Sequence, residues 1–319
     1  MRKITPLTAA IGLAIAPVLF AAPAQAATLP HTWVASNGDN TATCDRTAPC
    51  ATFAGALAKT DVEGEITCVD SGNYGGLNIG NSVTINCENA IGSTSISGSP
   101  GVISIHTLAT DVVALRGLDI DGLGFPVNGG LINFFGAGVL HVHKVKMNKL
   151  RGGGNGITFN PSGTAKLFVS DSTITDNGSS GVSGGIVIKP ASGVQADVTV
   201  DRTRIENNFF GIIADGTDGG IIHGVVRDSV VAGNANFGIG ASTSTANVVL
   251  LLENTTITNN NYGLVAVGAG AGLAVRNSSI LFNTTGLYAA TGGVLGSYKN
   301  NSVGGNGTDG AFTVVAAQQ

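Results

Sequence analysis

The chain has 319 residues, of which 43% are hydrophobic, 11% are charged and 48 are glycine, with a formal net charge of −4. Glycine at about twice its usual share without a Gly-X-Y period excludes collagen, and the aliphatic content excludes a disordered chain. No basic excess is present to attract nucleic acid, which is not an expected partner.

The first predicted element is a signal peptide over residues 1–26. It opens with Arg2 and Lys3, runs through an apolar stretch to Phe20 and ends in Ala24-Gln25-Ala26, the small-x-small pattern that a signal peptidase cuts. A membrane anchor is the rival reading, but the apolar stretch is short and the cleavage pattern clean. No later run reaches ~18 apolar residues, so no membrane span is expected after cleavage. The expected location is exported, periplasmic or secreted.

Residues 27–63 are predicted to form a strand and a short capping helix. CATFAGALAKT can make an amphipathic helix with Phe53, Ala54 and Leu57 on one side, suited to covering a bare sheet edge. The four cysteines, Cys44, Cys50, Cys68 and Cys87, all fall in the first third of the chain, where an even count in an exported protein implies two disulfides. Three connectivities are formally open. Pairing Cys44 with Cys50 closes a short local loop and leaves Cys68 for Cys87. With no C-x2-C pair, no metal site is expected.

From residue 64 to 319 the chain repeats. VDRTRIENNFFGI from Val200, LENTTITNNNYGL from Leu252 and VRNSSILFNTTGL from Val275 align without a gap. With one extra residue before the glycine, segments from Val169, Val226 and Tyr298 join them. The shared Ile/Val positions, Ile174, Ile205, Val231, Ile257, Ile280 and Val303, recur every 31, 26, 26, 23 and 23 residues. Such a period indicates a solenoid whose units must stack to bury their apolar faces. Alternating Val, Ile and Thr without i, i+3, i+4 spacing make its units strands. The expected fold is an all-β, single-stranded parallel β-helix of nine or ten coils.

In that arrangement equivalent residues become lateral neighbours ~4.8 Å apart. Asn177, Asn208, Asn234, Asn260, Asn283 and Asn306 are then a column of stacked amides at a corner, expected to be a structural ladder. Gly181, Gly211, Gly238, Gly263, Gly286 and Gly310 form a second predicted column. Asn254, Asn283 and Asn306 also satisfy N-x-S/T, and Gly304 to Asp309 resembles one calcium-binding turn. The ladder accounts for these residues, so no cofactor is expected; calcium is conceivable but indicated by no repeated motif.

The opening segment carries Thr47, Pro49, Cys50, Thr52 and Phe53, then Gly64, Ile66 and Cys68, then Gly72 and Tyr74. In this it resembles bacterial right-handed parallel β-helix proteins of the pectin lyase-like group. The resemblance implies a right-handed helix but no single activity, since the group includes lyases, hydrolases, epimerases, adhesins and proteins without known activity. Lyases of this group often hold calcium with aspartates from consecutive coils, and no stacked aspartate pair is found here. Its hydrolases carry N-x-D, D-D and G-H-G signatures, of which only His223 in Ile222-His223-Gly224 gives a faint trace.

Two charge columns mostly cancel: Asp201, Arg227, Glu253, Arg276, Lys299, and Lys144, Asp171, Arg202, Asp228 followed by Asn254, Asn277 and Asn300. What remains is a coil bearing His141, His143, Lys146, Lys149 and Arg151, with Asp119 and Asp121 one coil earlier. Lys146, Lys149 and Arg151 are weak catalytic candidates, because a polysaccharide lyase needs a basic group against a uronate carboxylate and a base for the α-proton. His141, His143, Asp119 and Asp121 are candidate ligand-binding residues. The bland alternative pairs Lys146 with Asp119 and Lys149 with Asp176. Asp215 and Asp218 could form an acid pair, though Asp-Gly is ordinary turn chemistry. Phe168, Val225, Leu251 and Ala274 make an outward apolar stripe, expected beneath the chain's own loops or a partner. The leading expectation is a non-catalytic exported protein that binds polysaccharide or a cell-surface partner along a β-face. The alternative is a polysaccharide lyase acting on an acidic glycan.

Overall fold

Short apolar strands separated by polar corners stack into a parallel solenoid, described over residues 28–95, 102–126 and 128–316 of a computed structural model. The expected signal peptide, with its cleavage site at Ala26, lies outside the described residues. Three parallel sheets of twelve, ten and nine strands run the length of the molecule, and nine windings contribute one strand to each. A tenth winding is partial. The strands Val248–Glu253, Thr256–Thr258 and Tyr262–Val267 make up one winding, and their paired neighbours lie one coil before and after.

The core fills the space between the sheets with columns of like side chains. Ile174, Ile205, Val231, Ile257 and Ile280 stack in the second sheet, and Ile157, Ile186, Ile212, Ile239 and Leu264 in the third, all essentially inaccessible. Each buried aliphatic side chain contributes about 1.5–3 kcal/mol relative to exposure. The stack therefore supplies what no single repeat could.

At the N-terminal end the helix is a single turn, Phe53–Leu57, and Thr52 caps it by accepting the Gly55 N–H at 3.0 Å. Its buried residues are Phe53 and Ala56, whereas Ala54 is exposed, because a five-residue turn cannot carry the wider face expected. Disulfides join Cys44 to Cys50 and Cys68 to Cys87. At the other end the tail returns as strand Val314–Val315 and pairs with Gly296 and Ser297 of the first sheet, and Thr308 bridges Thr285 at the edge of the third.

The corners show why the repeat has its grammar. Each ladder asparagine amide donates to the next asparagine's Oδ1, at 3.1, 3.3, 2.9, 3.0 and 3.0 Å from Asn177 through Asn306. The same oxygen accepts the preceding asparagine's backbone N–H, at 3.0 to 2.8 Å. The ladder begins on the Leu150 N–H and ends on Asp309. The left-handed residues are not these asparagines but the ones before them: Asp176, Asn207, Gly233, Asn259, Phe282 and Gly305, at φ between 56° and 67°.

A second left-handed column, Gly117, Lys144, Asp171, Arg202, Asp228, Asn254 and Asn277, lies at the corner between the first and second sheets. It is followed by a hydroxyl ladder in which Ser172, Ser229 and Ser278 accept the N–H of Val145, Thr203 and Thr255, each at 3.1 Å.

Two alignments need correction. The glycine column runs Gly156, Gly185, Gly211, Gly238, Gly263, Gly286; a Cβ on Gly238 or Gly263 would sit about 3.0 Å from the next ladder amide, which is the space the glycine provides. Gly181 lies in an expanded corner and Gly310 one place off register. In the last repeat Ser297, not Tyr298, occupies the anchor position, so Lys299 falls outside the Arg276 column.

Candidate functional site

The sequence-predicted basic coil wraps a corner and does not converge on one point. His141 and His143 lie on strand Gly138–His143 and face outward from the first sheet, whereas Lys146 lies on the second sheet and Lys149 at the next corner. Lys146 meets Asp119 at 3.7 Å and Lys149 meets Asp121 at 3.0 Å. Asp121, one coil back and opposite Asn148, takes the place expected of Asp176. Arg151 is exposed and has no carboxylate within ion-pair distance among the described residues.

His143 accepts or donates a hydrogen bond with Ser170 at 2.9 Å and lies 3.4 Å from Asp171 and 3.7 Å from Glu88. Asp171 in turn receives Arg202 through two nitrogens at 2.8 and 2.9 Å. Arg202 also reaches Asp201, which Arg227 contacts at 3.0 Å. Glu88 accepts Lys144 at 3.1 Å. The result is one chain of polar contacts along the corner from Lys144 to Arg227. The Arg202 hydrogen bonds hold the Asp171 carboxyl below its ordinary range, and the Lys144 hydrogen bond does the same for Glu88.

Above that corner the outward side of the first sheet is a shallow groove. His141 stacks on Phe168 with ring centroids 4.8 Å apart, and burial pushes the imidazole pKa down. The column continues through Thr199, Val225, Leu251, Ala274 and Gly296, all in register. Two depressions of about 570 and 380 Å³ follow this column and share Val249 as their divide. The concavity of the second comes from small residues in the outward columns, Gly272 between Val249 and Val294, and Gly296 beside Ala274. No described loop covers the stripe; Asn247 stands at its edge. His223 lines the first depression beside Asp197, 3.9 Å away. One rim is the ion-pair ladder Asp201–Arg227 and Glu253–Arg276, at 3.0 and 2.8 Å.

The third sheet carries a face that the sequence reading did not anticipate. Residues just before the column glycines, Phe210, Phe237 and Tyr262, stack in register across three coils. The signal is present as F-G, F-G and Y-G in successive repeats, beside the more regular asparagines. Lys189 ends this face between Asp215 and Asp218, each at 3.3 Å. Burial works against its ammonium, yet the two carboxylates outweigh it and hold the pKa above the ordinary lysine value.

A family model described as "Right handed beta helix region" matches residues 132–306. Among solved structures the chain is similar to pectate lyase Pel9A, at 13% identity and a TM-score of 0.59, covering 85% of this chain and 75% of that one. It also matches a rhamnogalacturonan lyase at 11% identity and a TM-score of 0.41, covering 86% and 75% of the two chains. No curated protein matches it. At such identity the likeness to the pectate lyase shows the fold alone. With more than half of its length under one family model and every coil in parallel register, the chain belongs to the right-handed β-helix family.

Proposed function

We propose that the protein is an exported, non-catalytic β-helix protein that binds polysaccharide along the outward face of its first sheet. The observation that carries this reading is the groove itself, which follows one register column from Phe168 to Gly296 while the charges along its rim are taken up in ion pairs. An elongated floor of small and apolar groups, with His141 and Phe168 stacked at one end, suits the flat faces of successive sugar rings. A paired rim offers little free acid or base for cleavage. Two disulfides in the opening segment accord with an oxidising, exported location.

Affinity gel electrophoresis against pectate, alginate and glycosaminoglycans, with ultraviolet detection of unsaturated products, tests both halves of the proposal. Retardation without ultraviolet-absorbing product, lost in Leu251→Asp, is the expected result. The lyase reading rests on Arg151, which has no carboxylate partner among the described residues. Accumulating unsaturated sugar that disappears in Arg151→Ala would establish it and overturn the non-catalytic one.

A further inference from the structure

We infer that the third sheet carries a second, separate binding site, for a neutral glycan of pyranoses with equatorial hydroxyls. This inference goes beyond the first-sheet reading and concerns a different face of the solenoid.

Phe237 is half-buried and lies across Gly240: a Cβ built there would meet the ring at 2.4 to 2.9 Å. In the outward column Val187, Ile213, Gly240, Val265, Tyr288 this is the one coil without a side chain. The gap lets the ring lie flat on the sheet. Phe210 supports it at 4.2 Å between centroids, and one coil further Tyr262 and Tyr288 meet edge-on at 5.6 Å. Tyr288 is 45% exposed on the last coil. A flat, supported ring with one open face is a platform for the axial C–H groups of a sugar, which stack on the negative face of an aromatic π-system.

The surroundings fix the ligand class. At the N-terminal end of the same face a cavity of about 510 Å³ is lined by Asn155, Thr158, Asn160, Lys189 and Asp215. The Oδ1 of Asn160 has no hydrogen-bond donor among the described residues. Lys189 is neutralised by its two aspartates, so the cavity lining presents no unpaired cation to a uronate among the described residues. Aromatic platforms followed by amides and hydroxyls match a ligand with apolar ring faces and polar edges. Equatorial hydroxyls, as in a β-glucan, leave both ring faces apolar.

The test is affinity electrophoresis of the full chain in gels containing soluble mixed-linkage β-glucan, with thermal midpoints recorded in parallel. Gly240→Ala keeps every aromatic ring but forces the Phe237 ring to tilt, and Tyr288→Ala removes an exposed ring whose loss leaves the core intact. Wild-type retardation, about tenfold weaker binding in each variant at an unchanged midpoint, and full binding in Leu251→Asp are expected. Absence of wild-type retardation, binding unchanged in both variants, or a loss confined to Leu251→Asp overturns the inference. Retardation by acidic glycans through the first sheet is independent of these outcomes, so failure here and failure of the first-sheet proposal remain distinguishable.

Discussion

Asn260 is bonded to both neighbouring coils. Its oxygen accepts the Asn234 N–H and amide, each at 2.9 Å, and its amide donates to Val231 and Asn283 at 3.2 and 3.0 Å. Asn260→Ala strips an acceptor from a buried N–H and a buried amide together, and leaving one such group unsatisfied costs about 1–3 kcal/mol. Urea denaturation of Asn260→Ala is expected to show a loss of about 3 kcal/mol, whereas an exposed asparagine such as Asn261, replaced in the same way, changes little. At this scale the sequence was legible wherever one residue type filled a column. The left-handed column before the ladder was not, because Asp, Asn, Gly and Phe all occupy it, so the backbone demand leaves no single-residue signature. The hydroxyl ladder was hidden for a related reason, since Ser and Thr looked like ordinary strand residues. Gly181 and Gly310 were misplaced because spacing was matched across corners whose lengths differ.

Strand neighbours set the charge pattern. Arg227 lies in register between Asp201 and Glu253, so Arg227→Gln removes attraction while Arg227→Glu adds repulsion from both sides. The Glu variant is expected to be less stable than the Gln variant by about 1 kcal/mol at low salt, and the gap to narrow as salt screens it. Equal stability of the two at low salt would remove the cross-strand argument. The same corner predicts a pH response. Asp171 and Glu88 have depressed folded pKa values, so their stabilisation is present above the ordinary carboxylate range and is lost as pH falls through the depressed values. Urea midpoints measured from neutral to acid should therefore fall, with a shallower acid slope in Asp171→Asn. The pairing of Lys149 was not legible, since its partner Asp121 stands opposite Asn148, one position off the column in which Lys149 lies.

Across the whole molecule, length and periodicity dictated the solenoid, and the helix, the disulfides and the returning tail close its ends. What sequence could not supply was the shape of each face. A groove arises where glycines and small residues fall among larger ones in a column, as at Gly272 between Val249 and Val294, and only the register reveals that juxtaposition. Both proposed binding faces depend on the same fact: residues from consecutive coils, some 23 to 31 positions apart in sequence, are direct neighbours. Engineered cysteines test it most directly. Val225 and Leu251 are paired in register on the outward side of the first sheet, at the ~4.8 Å spacing of neighbouring strands, within the ~4.4–6.8 Å reach of a disulfide. Mild oxidation of Val225→Cys/Leu251→Cys is predicted to give an intramolecular crosslink in high yield, and Thr199→Cys/Leu251→Cys, two coils apart, none. A crosslink in the second pair but not the first would contradict the register on which the account rests.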